Sequence, residues 1–294
     1  MIISVEELNC NCELDQFDLT RMSKFIRSEF SLKTLTDNSY KSIDEGAYNA
    51  EKYNLQAHDS ISLKKGIVTC THAPLITEIK FASPSKGRII DNAKTNIVDL
   101  ASTIVASGSI GLSVVTQPYL FCGSIEYLAM IRKAINVAVV MKDVIVSEIQ
   151  IDAAKRIGSD CVLLIKSVFD QDLAEGSMDK FVEYAYKKAL QVIIEVHTED
   201  EFKEVLNFNK TYRDNLIGIN NRNLNDLKID IHTTERLLQS RDKAKTIVIS
   251  ESGISTEEEI QFLKKAGADA FLIGTSIMES NDIASKVRRF YLSI

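Results

Sequence analysis

A closed barrel of eight parallel strands, each followed by a helix, is the fold this sequence predicts, on three observations. From about residue 74 onward, short apolar runs rich in β-branched residues alternate with stretches that carry apolar residues at helical spacing. Strands of nearly continuous apolar character are those buried on both faces, as parallel strands under crossover helices are. Eight such runs occur. Eight right-handed βα units close on themselves, whereas a doubly wound open sheet has fewer strands and a G-x-G-x-x-G turn after the first. No such turn is present. The chain also repeats itself: "AAKRIGSDCVLLI" (153–165) and "FLKKAGADAFLIG" (262–274) share the order helix end, glycine, acidic residue, strand. The expectation is therefore an α/β protein, a (β/α)8 barrel of the TIM type.

Taken in order, the expected strands are "PLITEIKFA" (74–82), "GLSVVT" (111–116), "AVVMKDVI" (138–145), "CVLLI" (161–165), "QVIIEV" (191–196), "NLIGIN" (215–220), "TIVISES" (246–252) and "AFLIGTS" (270–276). Between them "NIVDLASTIVASG", "SIEYLAMIRKAI", "SEIQIDAAKRIG", "DKFVEYAYKKAL", "TEDEFKEVLNF", "TTERLLQS" and "TEEEIQFLKKAG" space their apolar residues for one buried helix face, and "DIASKVRRFYL" follows the last strand. The three prolines, Pro74, Pro84 and Pro118, sit at or near strand ends. Residues 1–73 fall outside the alternation. They are polar and helix-rich, with too few apolar residues for a core of their own. The expected division is an N-terminal helical extension, 1–73, packed on a catalytic barrel, 74–294.

Composition narrows the class. A hydrophobic fraction of 45% with 26% charged residues leaves ample core material and argues against disorder. A formal net charge of -6 argues against general affinity for nucleic acid or anionic membrane, so an anionic ligand must be held by local groups. Cys10, Cys12, Cys70, Cys122 and Cys161 show neither metal-site nor disulfide spacing, which fits a reducing cytoplasm. The start of the chain lacks a basic, apolar leader, and no apolar run approaches the ~18 residues of a membrane span. A monomer is expected, with a dimer left open.

Barrel enzymes carry their chemistry at the C-terminal ends of the strands. Polar residues recur there: Glu78 and Lys80 late in the first strand, Lys142 and Asp143 late in the third, Glu195 ending the fifth, Asn220 the sixth, Glu251 and Ser252 the seventh. One strand-end charge is ordinarily a solvated rim residue; recurrence from five strands toward one mouth points to a site. Glu78 and Lys80, at i and i+2, share a face, and a buried face holds a carboxylate and an ammonium at a cost unless it does chemistry. The turns "SESGIS" (250–255) and "LIGTSIM" (272–278) follow the last two strands and offer backbone amides, the second backed by a short helix, for a phosphate. Lys80 and Ser83 are expected to reach the same anion, since the first strand adjoins the eighth on closure. The crowding of opposite charges is expected to let Lys142 hold or release its proton near neutral pH. His72 and His197 lack a second ligand at metal spacing, and capping or rim roles are expected for them.

The segments "EIKFASPSKG", "VVMKDVIV", "DCVLLI", "IIEVHTEDEF", "IGINNRNL", "ISESGIS" and "GADAFLIGTSIM", in this order, resemble indole-3-glycerol phosphate synthase over roughly residues 74–280. The resemblance implies a substrate, 1-(2-carboxyphenylamino)-1-deoxyribulose 5-phosphate, closed to the indole with loss of carbon dioxide and water in tryptophan biosynthesis. It implies Lys142 as the general acid, Glu195 as the group that stabilises charge on the anilino side, and Glu78 and Lys80 as the acid/base pair of dehydration. Asn220 and Ser252, with Glu251 beside them, would bind polar groups of substrate and intermediate, and Arg222 the anthranilate carboxylate. Ser83, Gly253, Gly274 and Thr275 match the phosphate contacts, and Pro84, Phe121 and Leu163 would wall the ring. No metal and no organic cofactor is implied.

Three departures from the family pattern are present: Phe81 where a basic residue is usual, Val144 where an aromatic is often found, and an altered loop at 116–124. By alternation Phe81 should face the helices. Related phosphate-binding barrels would carry a cysteine/aspartate or glutamate/aspartate pair in place of Lys142 and Glu78, and an inactive barrel would have lost some of the set.

Overall fold

Alternation along each strand sorts the apolar residues into two shells. The computed structural model describes residues 31–294 except 52, 54–58, 92–93, 225, 240–241 and 244. Cys10 and Cys12 lie outside the described residues. The barrel strands are β1 (Leu75–Ile79), β2 (Gly111–Val115), β3 (Ala138–Lys142), β4 (Cys161–Ile165), β5 (Gln191–Val196), β6 (Leu216–Asn220), β7 (Val248–Glu251) and β8 (Ala270–Ile273). All neighbours pair in parallel, and β8 returns to β1 through Leu75 opposite Phe271 and Thr77 opposite Ile273, closing the ring. Ile76, Val140, Leu163, Ile193, Leu216, Ile249 and Leu272 fill the inside. Leu75, Leu112, Met141, Leu164, Ile194, Ile217 and Phe271 face the helices. Each such side chain, fully buried, contributes roughly 1.5–3 kcal/mol, which explains why these strands are apolar on both faces.

Eight helices lie between or after the strands where the periodicity expects them: Ile97–Ala106, Ile125–Ala134, Glu148–Arg156, Met178–Lys187, Glu199–Phe208, His232–Gln239, Glu257–Ala266 and Ile283–Tyr291. Several are fixed at their starts by side chains. Ser147 with Gln150, Thr198 with Glu201, and Thr256 with Glu259 form capping boxes that satisfy orphan amides in the first turn. A short helix at Lys166–Asp170, directly after β4, is not expected from the sequence.

The repeated glycine-acid motif has a physical reason. Asp160, just before β4, accepts from the Val139 N–H of β3 at 2.9 Å, and Asp269, just before β8, accepts from the Val248 N–H of β7 at 2.7 Å. Each carboxylate thus satisfies an amide at the floor of the barrel that the next strand does not reach.

The described part of the extension touches both ends of the barrel. Helix α1 (Leu32–Asp44) lies at the C-terminal mouth, where Ser39 Oγ donates to the Val144 carbonyl at 2.8 Å. Helix α2 (Leu63–Thr69) lies at the floor. There the Ile61 N–H donates to Asp160 Oδ1 at 2.8 Å and the Leu63 N–H to Gln191 Oε1 at 2.6 Å. Leu63 packs so near Gly111 that a Cβ there would meet its Cδ1 at 3.0 Å.

Strand ends differ from expectation for local reasons. β1 stops at Ile79, and Ala82–Ser83 instead pairs antiparallel with Gly87–Arg88. β3 stops at Lys142 because the Asp143 carboxylate takes the Val144 N–H at 2.8 Å. β7 stops at Glu251, where Ser252 (φ 69°) and Gly253 (φ 85°) turn into the left-handed region. Among the described residues no helix is long and apolar enough to cross a membrane.

Candidate active site

At the C-terminal ends of the strands a cavity of about 320 Å³ opens, a volume suited to a small organic ligand. Lys142, the last residue of β3, reaches Glu195 Oε2 on β5 at 2.5 Å and Glu251 Oε2 on β7 at 3.4 Å. Lys80, just beyond β1, pairs with Glu78 Oε1 at 2.6 Å. Asn220 Nδ2, ending β6, donates to Glu195 Oε1 at 3.1 Å, and Asn220 Oδ1 accepts from the Arg222 N–H at 2.9 Å. All of these side chains line one opening. They hold this layer of the barrel because i, i+2 alternation turns Glu78 and Lys80 inward together.

Glu78, Glu195 and Glu251 are almost fully buried, a placement that ionised carboxylates tolerate only with partners. Room for them comes from two glycines. A Cβ on Gly218 would lie 2.0 Å from Glu251 Oε1, and one on Gly274 would lie 2.8 Å from Glu78 Oε1.

Electrostatics separate the groups. Burial disfavours charge on Lys142, but Glu195, Glu251 and Glu78 outweigh it and hold the ammonium well above the usual lysine range. The expectation that Lys142 releases its proton near neutral pH is therefore corrected: three carboxylates around one ammonium stabilise the charged form. Burial also opposes charge on Glu195 and Glu78, yet Lys142 and His197 for the former, and Lys80 and Lys142 for the latter, keep both below the ordinary carboxylate range. Glu251 goes the other way. Burial and the repulsion of Glu195 and Glu78 exceed its attraction to Lys142, and its carboxyl is pushed up to about 8.

Beside this cluster, Ser83, Ser252, Gly253, Gly274 and Thr275 line the same cavity. The short helix Thr275–Met278 starts at Gly274 without a side-chain cap. Arg222 also lines the cavity, and its Nη1 donates to the Leu227 carbonyl at 3.1 Å. Pro84 and Phe121 form part of the wall. Leu163 does not: it is fully buried in the barrel interior, one strand layer deeper than the cavity, so its expected contact with a ring is corrected. Phe81 points outward and packs edge-on against Tyr127 with ring centroids 5.1 Å apart, as alternation expects. Val144 faces the cavity.

Several residues here carry no sequence signal of a site. Leu35 of α1 and Ile229, from the loop after β6, line the cavity, and only the fold brings them there. Asp143 turns away from Lys142 and accepts from Tyr48 Oη at 2.8 Å and from Thr116 Oγ1; burial pushes its carboxyl up to about 6. His197 is not a rim residue. Its ring is nearly buried between Glu195 and Glu201, which corrects the rim alternative of the expected capping or rim role.

A model of the indole-3-glycerol phosphate synthase family matches residues 37–290. Among curated relatives, an indole-3-glycerol phosphate synthase of Methanocaldococcus jannaschii is 40% identical over 261 residues, 88% of this chain and 92% of that protein. The protein of the same name from Oceanobacillus iheyensis is 39% identical over 78% of this chain and 83% of its own length. Among solved structures, a thiamine phosphate pyrophosphorylase from Pyrococcus furiosus superimposes with a TM-score of 0.52 at 13% identity, covering 74% of this chain and 93% of that one, a likeness of fold alone.

Proposed function

The chain belongs to the indole-3-glycerol phosphate synthase family, a family of carboxy-lyases, and from that premise we propose how its residues perform the reaction. The substrate is 1-(2-carboxyphenylamino)-1-deoxyribulose 5-phosphate and the product indole-3-glycerol phosphate, with carbon dioxide and water released. The observation that carries this reading is Lys142, an ammonium held between Glu195 and Glu251 at the cavity.

The phosphate lies against the backbone of Ser252–Gly253 and Gly274–Thr275, with Ser83 and the Lys80 ammonium beside it. Pro84, Phe121 and Val144 wall the aromatic ring, and Arg222 pairs with its carboxylate. The substrate ketone then faces Lys142. As the carboxylate-bearing ring carbon attacks the ketone, the new carbon–carbon bond places charge on the ketone oxygen, which takes the Lys142 proton and becomes an alcohol. The carboxylates around Lys142 favour its charged form, the form that can donate. Positive charge appears on the anilino side, where the Glu195 carboxylate stabilises it. The bond to the carboxyl group breaks, its electron pair restores the aromatic ring, and carbon dioxide departs. In the last step the alcohol leaves as water after gaining one proton, and the adjacent ring carbon loses one. The Lys80–Glu78 pair supplies that exchange, and Asn220 and Ser252 bind the polar groups of the intermediate.

The functional unit we propose is a monomer. The proposed division remains an extension over 1–73 and a barrel over 74–294. The free thiols of Cys70 and Cys161 support a reducing, cytoplasmic setting. The test is to mix the pure protein with the anthranilate-derived ribulose phosphate in the presence of a metal chelator. Indole fluorescence should rise with one carbon dioxide per product; binding of the substrate without either signal would refute the reading.

A further inference from the structure

His197 follows β5 and is used by no step above. Its Nε2 lies 3.2 Å from Glu195 Oε1, and its Nδ1 lies 3.7 Å from Glu201 Oε2, close enough for ion pairing although neither nitrogen is aligned for a hydrogen bond. Glu201 is itself fixed. Its carboxylate accepts from the N–H groups of His197 at 2.6 Å and Thr198 at 3.1 Å, and from Ser167 Oγ at 2.6 Å. The charged group nearest in sequence to Ser167, Lys166, faces Asp170 and Glu204 instead. The groups facing the imidazole are thus two carboxylates, one on its own strand and one on the helix packed against it.

This matters because Lys142 is a single ammonium shared by Glu195 and Glu251. Two carboxylates competing for one cation do not both stay ionised in a dry site unless a second cation joins one of them. His197 supplies that cation on the Glu195 side. Among the described residues nothing equivalent faces Glu251 Oε1, which is buried without a hydrogen-bond partner across from Gly218.

We propose that His197 is a positioning residue: wedged as an imidazolium between Glu195 and Glu201, it makes Glu195 the ionised carboxylate of the pair and fixes it against Lys142 and Asn220. Burial opposes charge on the ring, but the two carboxylates overcome it and raise His197 to about 9, in accord with that geometry. The inference rests on the reading of Glu195 above, and it adds a residue that acts through Glu195 without touching substrate.

The test has two readouts. Nuclear magnetic resonance of the imidazole nitrogens in the wild-type protein reports the charge of His197 without any turnover. Both nitrogens should carry protons at pH 7.5, and a neutral ring at that pH overturns the proposal. Kinetics of His197→Gln and of Glu201→Gln, each checked for native circular dichroism, form the second readout. His197→Gln should lower kcat about 10- to 100-fold with KM changed less than about threefold, and should move the acidic limb of the kcat–pH profile upward as Glu195 gains protons more readily. Glu201→Gln keeps the helix cap and should move both quantities the same way by less. A folded His197→Gln with wild-type kcat and pH profile overturns the proposal. A wild-type protein that forms no product refutes the proposed reaction while leaving the resonance result to stand or fall by itself.

Discussion

Gly218 and Glu251 meet across β6 and β7 so closely that a single added methyl on Gly218 would stand 2.0 Å from the Glu251 carboxylate oxygen. The absence of a side chain on one strand is what admits a buried acid on the next. Gly218→Ala should therefore force Glu251 out of reach of Lys142. The expected outcome is a loss of about 1–3 kcal/mol in stability from overpacking, measured by urea unfolding. Turnover should fall at least about tenfold alongside it.

Lys142→Met removes the proton donor and keeps the bulk of the side chain. General acid catalysis of this kind is worth about 10²–10⁴ in rate, so product formation should drop into that range or beyond. The circular dichroism spectrum and the rise in melting temperature on adding inorganic phosphate should both persist. Full activity in this variant would exclude the mechanism. Asn220→Ala, which loses one hydrogen bond to Glu195, should cost less.

Tyr48→Phe isolates the tie between the extension and the strand that carries Lys142. It removes one donor from Asp143, a buried carboxyl. The Asp143 carboxyl is raised to about 6 in the fold, from an ordinary value of 3.8, so the folded protein binds a proton that the unfolded chain has already released between those values. Stability contributed by this group thus falls as pH rises from about 4 to about 6. The Tyr48 hydrogen bond favours the ionised form, so its loss should cost more at pH 7.5, roughly 1–3 kcal/mol, than at pH 4.5. Urea unfolding at the two pH values checks the sign.

At the opposite end, Asp160 joins the Arg132 guanidinium at 2.8 Å and two backbone amides, all buried or half-buried. Asp160→Ala should destabilise by about 3–5 kcal/mol, because it strands a buried charge. KM should change little, since Asp160 sits at the floor and not at the mouth. A large KM effect would show that the floor and the cavity are mechanically linked.

The fold was legible because two periodicities are so regular: apolar runs such as Cys161–Ile165 and Gln191–Val196 match their strands to the residue. Ends were less legible where side chains, not pattern, decide them, as Asp143 does by taking the Val144 amide. The short helix Lys166–Asp170 has too few residues to show a period. Within the site, the polar strand-end residues stood out against apolar neighbours. Leu35 and Leu163 could not be told apart as wall and filler, since both are ordinary apolar residues whose depth depends on the barrel. The burial of His197 was not legible because its partners, Glu195 and Glu201, look in the sequence like separate features, one ending a strand and one capping a helix. The proton state of Lys142 was misjudged too, since it depends on how many carboxylates converge, and Glu251 enters from a strand far along the chain.

The helices that rest on both ends of the barrel are made before its strands, and their anchors come much later. Ser39 waits for the Val144 carbonyl 105 residues downstream, and Leu63 waits for Gln191 128 residues downstream. Both partners are made after the segments they hold, so these segments emerge before they have anywhere to settle. Two helices that precede the barrel in the chain are thus seated only by strands that follow them.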